Sequence, residues 1–173
     1  MSVRFSLAAV SLIAVVSLAG CVTPDASTVA ATPAQSSQVG PGAEPVDGFF
    51  AGTIFKSVCS DTAPSFKKAS AIMAKMPFRQ HPVTGTYYHQ NLDLSVKLMP
   101  KRCSMVFSSK EKPTQLGLVL ALEAGLDSGS NEIWVDPDNG ASVTKGKDGT
   151  TFEFAPLGRA NGRNMYRAVL IAP

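Results

Sequence analysis

His81 and His89 are the residues of this chain best suited to moving protons near neutral pH. They lie on either side of a loop that carries Gly85 and leads into Tyr87 and Tyr88. Such a pair offers a general base for hydrolysis or two imidazole ligands for a metal. A metal would want a third ligand such as Asp61 or Asp93, but no spacing demands either. A Ser–His–Asp relay finds no G-x-S-x-G elbow to carry its serine. Asp127, Asp136 and Asp138 stand among Ser, Gly and Pro. The run Asp136-Pro137-Asp138-Asn139-Gly140 lacks the alternating oxygen ligands and closing glutamate of a calcium loop, and reads as a polar turn. No phosphate-cradling glycine loop and no dinucleotide fingerprint occur. Trp134, Tyr87 and Tyr88 can line a groove or rim a core. Catalytic residues therefore stay unassigned, and no metal or cofactor is expected.

Three cysteines complete the reactive set: Cys21, Cys59 and Cys103. Cys21 closes the run Ser17-Leu18-Ala19-Gly20-Cys21. An apolar segment, Leu7–Val16, precedes it, broken only by Ser11, and Arg4 supplies the positive end of a secretory signal. A spanning helix needs about 20 consecutive apolar residues. This run is shorter and ends in small residues, not in a basic stop-transfer cluster. A leucine, two small residues and a cysteine resemble the lipobox of bacterial lipoprotein signal peptides. The resemblance implies a signal peptide over 1–20, a diacylglyceryl group on the Cys21 sulfur, and a fatty acid such as palmitate on the new N-terminus. Several chains anchor where one would not, since each buried methylene is worth about 0.8 kcal/mol. Val22, not aspartate, follows the cysteine, which by the same resemblance favours the outer membrane, facing the periplasm. That address leaves nucleic acid out of the expected partners.

Cys59 and Cys103 then remain in an oxidising compartment and read as one disulfide, closing a loop of about 45 residues. A zinc pair would lack the usual close-spaced ligands, and a catalytic thiol would leave its partner unpaired. The stretch 22–47 is rich in Ala, Pro, Ser, Thr, Gln and Gly, with no aromatic residue and no Leu, Ile or Met. It is expected to be a disordered tether, 21–47, because it has too little apolar surface to offset the entropy of ordering. Residues 48–173 suit one domain with one core. All but Arg4 of the 16 basic residues and all but Asp25, Glu44 and Asp47 of the 13 acidic ones fall in it, so it is more basic than the whole chain at +3. The basic residues are scattered: Lys67 and Lys68, Lys101 and Arg102, Lys110 and Lys112, Lys145 and Lys147, then Arg159, Arg163 and Arg167. Most of that is a solvated surface. The excess favours anionic partners such as lipid head groups or acidic envelope polymers.

The elements that must position these residues follow from pattern. Gly48–Lys56, with Phe49, Phe50, Ile54 and Phe55, reads as a short strand or an anchored lead-in. Asp61-Thr62-Ala63-Pro64 starts a helix that runs to Met76 and stops at Pro77, with Phe66, Ala69, Ile72, Met73 and Met76 on one face. Thr86 to His89 reads as a strand or a turn into one. Leu92–Leu98 alternates as a half-buried strand, Cys103–Ser108 gives the next, and the short link suggests a hairpin. Pro113–Ala124 is a second helix, with Pro113 near its start and Gly125 as its stop. Short strands follow at Glu132–Val135, Thr150–Phe154 and Asn164–Ile171, between turns at 136–140, 147–149 and Asn161-Gly162. The expected fold is α+β, a single compact domain with two helices packed on a twisted antiparallel sheet. The expected function is a lipid-anchored bacterial envelope protein whose small domain binds another protein or an envelope component. The alternative is a periplasmic hydrolase using His81 or His89.

Overall fold

The computed structural model describes residues 39–124, 134–146 and 148–173. The expected signal segment, Cys21 and the first part of the expected tether lie outside the described residues, as do Gly125, Asp127, Glu132 and Lys147. Among the described residues no helix is long and apolar enough to cross a membrane.

Eight strands form one sheet in the order β1-β2-β3-β4-β8-β7-β6-β5, every neighbouring pair antiparallel. The strands are β1 (Phe78–Gln80), β2 (Tyr87–His89), β3 (Leu94–Met99), β4 (Arg102–Ser109), β5 (Trp134–Val135), β6 (Ser142–Lys145), β7 (Thr151–Ala160) and β8 (Arg163–Ile171). Three helices accompany them: α1 (Gly48–Val58), α2 (Ala69–Met73) and α3 (Pro113–Glu123). The class is α+β, as the sequence leads one to expect. Two four-stranded meanders are joined where β4 pairs with β8.

One face of the sheet carries the core. Leu94 stands opposite Phe107 and Val96 opposite Met105. The same rows continue to Tyr166 and Ala168 on β8, and Ala168 faces Phe154 on β7. Residues directly opposite in an antiparallel pair share a face, so the apolar alternation of each strand adds to one buried layer. Onto it α1 lays Ala51, Ile54, Phe55 and Val58, and α3 lays Leu116, Leu120 and Ala121. The Phe55 ring meets Phe152 edge-on at 5.5 Å between centroids. Burying each such ring contributes about 1.5–3 kcal/mol. Cys59, just past α1, is joined to Cys103 at the start of β4, 44 residues apart in sequence. In the chain-entropy account a loop of that size stabilises by about 4 kcal/mol.

Three expectations change. Gly48–Lys56 is neither strand nor lead-in but the body of α1. Asp47 caps it, its Oδ1 accepting from Phe50 N at 3.1 Å, and Glu111 Oε1 accepts from Gly48 N at 2.7 Å. The glycine at 52 permits close helix packing, since a Cβ there would come within 2.8 Å of Glu123 Cγ on α3. The helix expected up to Met76 is cut to Ala69–Met73. Phe66 takes a left-handed backbone at φ 54°, which no α-helix passes through. The domain also begins before Gly48. Gly42 N donates to His89 O and Leu92 O at 2.9 Å each, Glu44 N to Asn91 O at 3.1 Å and Val46 N to Ser108 O at 2.7 Å. Val46 is buried in the core. The last part of the expected tether is thus an arm bonded to the domain.

Candidate binding surface on the open sheet face

The structure gives both histidines the same work, holding the backbone of a turn. His89 Nδ1 accepts from the amides of Asn91 and Leu92 at 3.3 and 3.1 Å. His81 Nδ1 accepts from Val83 and Thr84, at 3.2 Å each. Each imidazole closes its own turn. His89 is buried, with Phe78 edge-on at 5.1 Å and Phe50 at 6.4 Å, and burial pushes its pKa below the ordinary 6.5. The carboxylates weighed as partners are engaged elsewhere. Asp61 pairs with Lys56 at 3.0 Å and Asp93 with Arg163 at 3.2 Å. Among the described residues no three His, Cys, Asp or Glu side chains gather as a metal site. In the turn at 136–140, Gly140 N donates to Asp136 O, and Asp136 Oδ1 accepts from Asp138 N, both at 2.8 Å. Of the three aromatics singled out, Tyr87 lies on the helix side and bonds Ser70 Oγ at 3.0 Å. Tyr88 and Trp134 lie on the other face.

That other face brings together what the sequence scatters. The register fixes four cross-strand rows on it, of which Ser108, Met165 and Gly158 make the uncharged one at the hairpin end. The first runs Arg79, Tyr88, Ser95, Val106, Arg167 and Ala155 across β1, β2, β3, β4, β8 and β7. In the second, Lys97, Ser104, Val169, Glu153, Val143 and Trp134 reach from β3 to β5. Met99, Arg102, Ile171, Thr151 and Lys145 make the third. In these three rows five cations (Arg79, Lys97, Arg102, Lys145, Arg167) stand with one carboxylate, Glu153, and the same alternation carries Asp93 and Arg163, paired with each other, to one end of the face. Among the described residues none of the five is ion-paired, and no helix packs on this side. Val169 is buried at its centre, while Trp134 and Val143 are 57% and 43% exposed at the β5 edge. Arg102 Nε is buried and has no hydrogen-bond partner among the described residues.

Sequence reading passed over Arg79 and Lys97 as members of a site. The signal for Lys97 was present, since it alternates with the core leucines of β3. Nothing local marks Arg79, which joins the face only through the pairing of β1 with β2. The arrangement can do one thing well: present cations around a small apolar centre to an anionic surface. Comparison with protein-family models, with curated proteins and with solved structures finds no match to the chain.

Proposed function

We propose that this protein is a lipid-anchored bacterial envelope protein whose domain docks, through the open face of its sheet, onto an acidic patch of another envelope protein. Cys21 is the lipidation site in this reading, and the outer membrane, facing the periplasm, is the location. The observation that supports docking is the five-to-one charge balance of three cross-strand rows that also carry an exposed Trp134. Arginine and tryptophan are enriched at protein interfaces, and complementary charge speeds encounter and fixes orientation. Six strands about 4.8 Å apart and five residues of about 3.4 Å rise give a patch on the order of 500 Å². That is the area each partner covers in a transient complex. An anionic polymer has no apolar patch to match Trp134 and Val143, which is why a protein is the partner argued for. The hydrolase alternative is the weaker reading, because both histidines spend Nδ1 on backbone amides.

The test is photo-crosslinking in the native envelope. A photoreactive residue replacing Val143 or Lys97 is expected to crosslink one protein, and Arg102→Glu with Arg167→Glu to suppress the adduct. A photoreactive residue at Lys67, outside the sheet, is expected to give none. Adducts to lipid or polysaccharide, or adducts indifferent to the charge reversal, overturn the reading. Labelled fatty acid is expected in the wild-type protein and not in Cys21→Ser; its absence from both removes the anchor.

A further inference from the structure

Beyond the helix layer, β7 and β8 end in a hairpin tip, Gly158 to Gly162, that is exposed throughout. On the helix side of the sheet, the row after Phe107 and Tyr166 is Ser109, Asn164 and Arg159. A cleft of about 330 Å³ lies beside that row, with Pro45 of the N-terminal arm on its wall. Lys110, Arg159 and Arg163 line it together with the polar side chains of Ser109 and Asn164, and among the described residues no carboxylate does. Both guanidiniums are held in place. Arg159 Nη2 donates to Gly162 O at 2.9 Å across the turn, and Arg163 Nη1 to Asp93 Oδ2 at 3.2 Å. Each arginine carries five N–H donors in a fixed fork, so one end can be anchored and the rest presented. Asp93 offsets part of one charge. Asp47 and Glu111 line an adjoining cleft that shares Lys110, and Glu111 Oε1 is engaged by Gly48 N.

We propose that this cleft binds a phosphate ester. Guanidinium forks match phosphate oxygens in pairs, and an ammonium adds a point charge. Two cations from the β7–β8 hairpin and one from the end of β4 suit a tetrahedral group with acceptors in several directions better than a planar carboxylate. The ester can belong to a free small molecule or to a phospholipid head group. The site is carried by the cleft alone and stands whether or not the open face docks a protein.

The experiment uses the full chain in uncharged detergent, titrated with glycerol phosphate and followed by backbone amide resonances. Shifts are expected at Ser109, Lys110 and 159–164, and the double variant Lys110→Gln, Arg159→Gln is expected to bind at least tenfold more weakly with an unchanged melting curve. Both side chains are exposed, so folding is spared. A second arm measures co-flotation with phosphatidylglycerol vesicles, as the difference between wild type and the same variant. Binding of glycerol phosphate without a flotation difference assigns the cleft to a free ester, and a flotation difference assigns it to the head group. No shift in this cleft together with no flotation difference overturns the proposal, as does equal binding by the variant. Loss of the open-face crosslinks with this result intact leaves the cleft standing.

Discussion

The two faces of this sheet are made by the same strands, one residue out of step, and they obey different rules. On the helix side, Leu94, Val96, Met105, Phe107, Phe154, Tyr166 and Ala168 are closed against α1 and α3. Their sizes are set by one another, because interiors are packed to crystal density. On the open side, Arg79, Val143 and Trp134 are exposed and, among the described residues, no helix fixes their sizes. A helix-side residue answers for stability, and an open-side residue, in the proposed reading, for recognition. The difference teaches that two residues adjacent in sequence, such as Val106 and Phe107, belong to separate questions.

That division can be broken by substitution. The largest expected effect is on the covered face. Phe107→Ala removes a fully buried ring that lies 5.7 Å from Tyr166, and is expected to cost about 3–5 kcal/mol. Val143→Ala on the open face is expected within about 0.5 kcal/mol of wild type. Urea denaturation of both variants decides it, and a comparable loss in the two would erase the distinction. The smaller effect concerns acid. His89 belongs to the covered face, and burial lowers its folded pKa below the unfolded 6.5. The unfolded chain then binds the proton more readily than the folded one. Stability is therefore full above pH 6.5 and falls as the pH drops from there through the folded pKa. His89→Asn is expected to flatten that segment of the stability–pH curve, while Arg167→Glu on the open face leaves it in place. Thermal melts between pH 7.5 and pH 5 check this, and an unaltered slope in His89→Asn would remove the imidazole from the account.

Sequence made the covered face legible where alternation or capping is strong. β3 and β4 follow from Leu94 to Phe107, and α3 from Pro113 onward. The disulfide between Cys59 and Cys103 is as expected. Helix α1 was hidden by Gly48 and Gly52, poor helix formers whose use is tertiary: a side chain at 52 would meet Glu123. Asp47 as a cap and the spacing of Ala51, Ile54, Phe55 and Val58 were the signals that mattered more. Strand β6 was missed because its pattern is inverted, with Ser142 and Thr144 buried and Val143 exposed. The open face was invisible for a different reason. Its cations come from β1, β3, β4, β6 and β8, and only strand order makes them neighbours. The histidines were conspicuous by type, yet their surroundings make them turn-formers.

The strand order also sets how this chain has to fold. Six of the seven strand pairings join consecutive strands, but the junction of β4 with β8 joins residues 102–109 to residues 163–171. Closing the loop from Ser109 to Arg163 costs roughly 3–4 kcal/mol by the logarithmic law of loop entropy. Until that seam zips, each meander is a half-sheet with an unsatisfied edge and an uncovered apolar side. The central seam is thus expected to be a late, non-local step of folding, and the interval before it to be the one most open to aggregation.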